Sequence, residues 1–283
     1  MIRLCALLPA PTPDDALRMA ERQGLWGTGI AFPGGATEAD AAALGRRFAD
    51  AGVHIVQVSD YQNVSTPVDE VRGEAVQRLR RSMALAAAAR ARAVCTGAGH
   101  CDPARPRETF AAHRDNFSDA ALDRLANSCR DVVAAGDVRG EGVRLLVETW
   151  VMTPLNTLPR TSKAVRRVAH PMFGILLDPV NLMSLDNYFD NGSFLRRCVQ
   201  DLGPAIGLVH AKDTLLHPER FTFHLAEEPV GTGALDYAAL LEALAALPGD
   251  VPLCVEHLRT EEEVSAALAH LRAIAEKVEV QVG

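Results

Sequence analysis

Four apolar runs in this 283-residue chain end on side chains that can bind a metal ion: LLVE at Glu148, ILLD at Asp178, LVH at His210 and LCVE at Glu256. Each run has the length of a β-strand, so the four groups should leave the same end of successive strands. Two glutamates, one aspartate and one histidine on one rim would form a compact, oxygen-rich site for one divalent ion. Such a donor set suits Mn²⁺, Mg²⁺, Co²⁺ or Zn²⁺ and leaves coordination positions open for substrate oxygens. A lone acid at a strand end is usually an ion-pair partner, and a lone histidine there is usually structural. Four such groups at consecutive strand ends point instead to a metal centre.

Further candidates gather around these four. Asn181 follows Asp178 by three residues, and Trp150 follows Glu148 by two, as a wall of the pocket or as core. Lys212 follows His210 by two, so strand alternation puts both on one side and aims Lys212 at substrate oxygens. The other reading of Lys212 is an ion pair with Asp213 or a nearby carboxylate. His100, in TGAGHCDP, ends a predicted strand and faces the same mouth as a candidate substrate contact. The segment Pro229-Val230-Gly231-Thr232-Gly233 has two readings. Its glycines could bring backbone amides to a phosphate, or it is a tight loop with Asp236 in the first helical turn. His54, at the start of a strand, is expected at the opposite end.

The elements that must carry these residues alternate along the chain. Candidate strands are 2–8, 28–32, 53–58, 92–97, 143–149, 173–178, 205–211 and 252–256. Helical patterns lie at about 14–23, 37–51, 69–91, 106–135, 158–169, 192–202, 235–247 and 260–277. The helix at 106–135 is bracketed by Pro103 and Pro106 before it and by Gly136 and Gly140 after it. The strands are near-continuous Val, Ile, Leu and Cys, as expected for a parallel sheet covered on both faces. Eight strands alternating with eight helices read as an α/β fold, a single (β/α)₈ TIM barrel spanning 1–283. A doubly wound sheet is the runner-up, but no G-x-G-x-x-G follows the first strand.

Bulk properties narrow the partners. A hydrophobic content of 48% supports a large core, and a net charge of −7 argues against nucleic acid as the main partner. No run approaches the roughly 20 apolar residues of a membrane span, and the apolar run broken by Pro9 suits a first strand better than a signal peptide. The six cysteines show no C-x-x-C spacing and read as reduced and mostly buried, so a cytoplasmic protein is expected.

The motifs LLVE, GILLDPVN, VHAKD, EPVGTGALDY and LCVEH resemble the xylose isomerase-like TIM-barrel superfamily of sugar isomerases and epimerases. That superfamily also includes inosose dehydratases and apurinic endonucleases. The resemblance runs from the first strand to the last helix and is strongest from 143 to 257. It implies that Glu148, Asp178, His210 and Glu256 are the metal ligands, with Glu148 and Glu256 also the catalytic acid/base pair. The chemistry implied is proton abstraction beside a carbonyl, through a metal-stabilised enediolate, in a small carbohydrate or keto-polyol. A dehydratase or keto-glycoside lyase begins with the same proton loss and is the alternative; a non-catalytic sugar-binding barrel is a third reading. The three-metal endonuclease pattern is not met. Asn181 stands where that branch has histidine, and Phe221-Thr222-Phe223-His224 contains no Asp-x-His. Barrels of this superfamily are often dimers or tetramers, which leaves a homo-oligomer open.

Overall fold

Strand and helix alternate along the chain. The computed structural model describes residues 1–138 and 142–283. The first half comprises β1 (Ile2–Ala6), α1 (Pro13–Gln23), β2 (Gly27–Ile30), α2 (Glu38–Asp50), β3 (His54–Ser59), α3 (Asp69–Ala88), β4 (Ala93–Gly97) and α4 (Asp119–Val138). The second half begins with β5 (Arg144–Glu148), α5 (Leu158–Val168), β6 (Phe173–Leu177), α6 (Leu185–Tyr188), α7 (Asn191–Leu202) and β7 (Ile206–Ala211). It ends with β8 (Asp213–Leu216), β9 (Leu225–Glu228), α8 (Tyr237–Ala245), β10 (Val251–Val255) and α9 (Glu261–Lys277). Parallel strands close into a barrel in the order β1-β10-β7-β6-β5-β4-β3-β2. The expected (β/α)₈ TIM barrel is therefore the fold.

Local chemistry explains where the helices start. Thr12, Thr37, Thr157 and Thr260 each accept a hydrogen bond from the backbone amide three residues on, at the start of α1, α2, α5 and α9. A side-chain acceptor at that position satisfies an amide the helix itself cannot. Gly24 closes α1 in the left-handed region, where lack of a Cβ removes the steric cost.

The barrel lumen fixes what stands above it. Cys5, Val56, Ala93, Cys95, Leu146, Leu176, Leu208 and Cys254 form one buried cluster, separate from the larger core between strands and helices. Leu146, Leu176 and Leu208 are fully buried, and each such side chain contributes roughly 1.5–3 kcal/mol. Side chains on one face of a strand recur every two residues. Glu148, Asp178, His210 and Glu256 each lie two residues beyond a lumen residue, so they form the next layer toward the mouth.

Three features differ from the sequence reading. Residues 106–113 are not helical: the chain makes a 3₁₀ turn at Arg114–Phe117, and α4 starts only at Asp119. Tertiary hydrogen bonds outweigh the helical pattern there. Asn63 Nδ2 donates to Pro106 O at 3.1 Å and Thr109 Oγ1 to Tyr61 O at 3.1 Å. Asn116 accepts from the Cys101 amide and donates to Ala111 O and Met152 O. Gly136 lies inside α4 rather than after it, and Gly140 is outside the described residues. The second difference is the short helix α6, too brief to leave a periodic signal.

The third is the β8–β9 hairpin, inserted between β7 and α8. Its base is organised by Asp213, which is buried and accepts from the amides of Thr214, Gly231 and Leu235 at 2.9, 3.0 and 2.9 Å. The amides of Gly231 and Leu235 are thus committed to a carboxylate of the chain, and the phosphate reading of residues 229–233 is set aside. A Cβ at Gly233 would collide with the Asp213 carboxylate. Asp236 caps α8, accepting from the Ala239 amide at 2.9 Å.

Candidate metal centre

Ligand atoms of Glu148, Asp178, His210 and Glu256 all lie within 4.8 Å of one another at the C-terminal ends of β5, β6, β7 and β10. The sequence-predicted quartet is brought together. His210, Asp178 and Glu256 are almost wholly buried, whereas the Glu148 side chain is 12% exposed and opens to the cavity.

The partners of each group set its orientation. His210 Nε2–H donates to Gln57 Oε1 at 3.0 Å, and Gln57 Nε2 in turn donates to Ser59 Oγ. That leaves His210 Nδ1 facing Glu256 Oε2 at 2.8 Å and Glu148 Oε1 at 3.4 Å. The Tyr61 hydroxyl donates to Glu148 Oε2 at 2.7 Å, and Asn181 Nδ2 donates to Glu148 Oε1 at 3.3 Å. Asn181 also donates its backbone amide to Asp178 Oδ1, so it ties the two acids together.

Lys212 lies in the centre of this charge. Its Nζ is 2.8 Å from Asp178 Oδ2, 3.0 Å from Glu227 Oε2 and 3.1 Å from Glu256 Oε1. Strand alternation places it beside His210 as expected, but its partners are these three acids rather than Asp213. Glu227 comes from β9 and also pairs with His257 Nδ1 at 2.5 Å. His257 itself holds φ at +57°, a left-handed conformation that costs a side-chain-bearing residue free energy and tends to mark functional sites.

The electrostatics call for another cation. Burial works against a charged His210, yet the Glu256 and Glu148 carboxylates prevail and push its pKa up to about 10. Burial raises Asp178 to about 7 despite Lys212 beside it. Lys212 is held charged, because Asp178 and Glu256 overcome the cost of its burial. Four carboxylates thus face one ammonium and the imidazoles of His210 and, at the rim, His257. Asp178 Oδ2, His210 Nδ1 and Glu256 Oε1 are buried without a well-formed hydrogen bond. Buried polar atoms normally have such a partner. Three under-satisfied donor atoms converging on one point, with an imidazole fixed by an outer amide, fit a divalent ion.

The centre opens into a cavity of about 650 Å³ that Glu148, Glu256, Lys212, Asn181 and Trp150 all help to line. Lys212, Asn181 and Trp150 therefore stand where the sequence put them. His100 does not. It is buried away from the cavity, its Nε2–H donating to Glu108 O at 2.8 Å and its Nδ1 accepting from the Asp102 amide at 3.1 Å. Both ring nitrogens hold the loop after β4, so His100 is corrected from substrate contact to loop support. Gln57, Tyr61, Glu227 and Phe110 were missed. Only Glu227 carries a charge that could have drawn attention, and it lies on the unpredicted hairpin. All six cysteines are buried and unpaired, as expected. No described helix is long and apolar enough to cross a membrane.

The xylose isomerase-like TIM barrel family profile matches residues 19–274. No curated protein matches the chain in sequence. Among solved structures, a xylose isomerase domain protein from Planctomyces limnophilus is similar at 17% identity and TM-score 0.70, covering 99% of this chain and 97% of that one. The IolI protein with a bound zinc atom is similar at 17% identity and TM-score 0.70, covering 98% and 99%. The 3-keto-D-glucoside 4-epimerase YcjR from E. coli is similar at 17% identity and TM-score 0.70, covering 96% and 100%. At such identities the likeness speaks for the barrel alone.

Proposed function

Because the chain belongs to the xylose isomerase-like TIM barrel family, we propose that it is a divalent-metal-dependent isomerase or epimerase of a carbohydrate or keto-polyol. The observation that carries this reading is the Glu148–Asp178–His210–Glu256 cluster at the inner end of a cavity, with three of its buried donor atoms lacking a good hydrogen bond. An epimerase and a zinc-binding protein among the similar structures support it.

The four side chains would hold the ion, and a bound ion would supply Lewis-acid stabilisation of negative charge on an oxygen beside the carbon that loses its proton. The remaining work falls to the chain. Glu148, with Oε2 held by Tyr61 and Oε1 by Asn181, is oriented to take a proton from substrate in the cavity. Glu256, fixed by His210 and Lys212, would return it from the other side. Asp178 and His210 serve as ligands only. Lys212 lines the cavity, but its three N–H groups are matched by three carboxylates, so its work is to hold Asp178, Glu227 and Glu256 in place. A lyase is the second reading, favoured by a cavity with room for a leaving substituent beyond the acids.

Elemental analysis of protein purified without chelator tests the centre. About one divalent ion per chain is expected, with less in Glu148→Gln; no ion even after adding Mn²⁺, Co²⁺, Mg²⁺ and Zn²⁺ would overturn the reading. Solvent deuterium should enter a turned-over ketose or methyl 3-keto-glucoside, and loss of water or alcohol would select the lyase. Glu256→Gln should slow exchange by about 10²–10⁴-fold with the fold retained.

A further inference from the structure

The cavity is built from two kinds of surface. Its acids are Glu148 on β5, Glu227 on β9 and Glu256 after β10, but much of its remaining lining is apolar. Leu7 and Leu8 follow β1 and Leu258 follows β10, whereas Phe110 precedes α4 on the loop after β4 and Trp150 follows β5. In the ring of strands, β1 lies diametrically opposite β5, and β10 opposite β4. Two apolar walls therefore face each other across the mouth.

The aromatic wall is held in place. Phe110 meets Trp150 edge-on at 5.1 Å between centroids and Tyr61 at 5.8 Å. Its loop is pinned to the segment that follows β3, Asn63 donating to Pro106 O and Thr109 to Tyr61 O, yet Phe110 remains 44% exposed. An aromatic ring kept at a cavity rim in an ordered loop covers little core, and its open face suits a ligand.

Charge narrows that ligand further. Among the described residues no arginine lines the cavity. Its cationic groups are engaged: Lys212 by Asp178, Glu227 and Glu256, and His257 by Glu227. A phosphate or carboxylate substituent would find no unpaired cation and would meet several carboxylates. About 650 Å³ is also ample for more than one sugar ring, since pockets of about 300–1,000 Å³ bury drug-sized ligands.

Resting on the enolising reading above, we infer that the substrate is an uncharged carbohydrate bearing an apolar, aryl-sized substituent. Its carbonyl and hydroxyl face the acids, and its substituent lies between Phe110, Trp150, Leu8 and Leu258. A free ketose or a sugar phosphate fills only the inner part.

Calorimetric titration of the protein, metal-free and loaded with Mn²⁺, with phenyl and methyl 3-keto-β-D-glucoside tests the inference. Deuterium exchange is followed on the same pair. Burial of a phenyl ring should tighten binding about 10- to 100-fold over the methyl compound, and Phe110→Ala or Trp150→Ala should shrink that ratio toward one. Equal binding of the two compounds, or no binding of either, overturns the apolar subsite. So does a ratio unchanged in both variants. A phenyl preference without exchange leaves the subsite standing and overturns the enolising reading; exchange with equal binding does the reverse.

Discussion

The half of the mouth built by β5, β6, β7 and β10 carries charge, and among the described residues the half built by β1 to β4 brings no charged side chain to the cavity. In the first half, acids, His210 and Lys212 crowd together with incomplete hydrogen bonding. In the second, the uncharged side chains of Gln57 and Tyr61 reach across to His210 and Glu148 on the charged side, and Ser59 holds Gln57. Labour is divided between the two halves. One side supplies donor atoms, and the other helps to orient two of the groups that carry them, His210 and Glu148.

The largest expected effect belongs to the charged half. A metal ion must displace the proton that His210 holds up to a pKa of about 10, and below about 7 also that of Asp178. Affinity for Mn²⁺ should therefore rise about tenfold per pH unit from 7 to 10, more steeply below 7, and level off above 10. A pH-independent affinity would mean that neither group binds the ion.

Lys212→Met comes next. Removing the ammonium leaves three carboxylates without their counter-charge, at a cost of about 3–5 kcal/mol to the metal-free protein. Urea unfolding would measure it, and added Mn²⁺ should recover much of the loss. Stability equal to that of the unaltered chain would show that Lys212 is not what balances the acids.

Substitutions in the neutral half should cost less. Gln57→Leu removes the acceptor that orients His210 and should weaken Mn²⁺ binding about 10–100-fold at unchanged stoichiometry. Tyr61→Phe removes one hydrogen bond to Glu148 and should lower turnover about tenfold while leaving metal affinity nearly intact. A Gln57→Leu penalty above that of Lys212→Met would erase the distinction between the halves.

The same division explains what could be read from residues alone. Glu148, Asp178, His210 and Glu256 were legible because each is an ionisable group at the end of an apolar run, two positions past a lumen side chain. The barrel strands were legible for the same reason, with ends off by a residue or two. Gln57 and Tyr61 were not, since a neutral side chain in or after a strand has no feature that separates it from its neighbours. The loop at 106–113 carried a helix-like charge pattern; contacts with Asn63 and Tyr61, distant in sequence, and with nearby Asn116 decide against the helix. His100 misled because its position at a strand end says nothing about which backbone groups its ring will meet.

Asp213 gives the hairpin a closed base: its carboxylate ties the start of β8 to the turn before α8, so residues 217–224 hang beyond a fastened hinge. A descendant of this chain could lengthen, shorten or rewrite that tip without loosening His210 or Lys212, a few residues upstream. The arrangement lets the length and sequence of the tip drift independently of the residues at the barrel mouth.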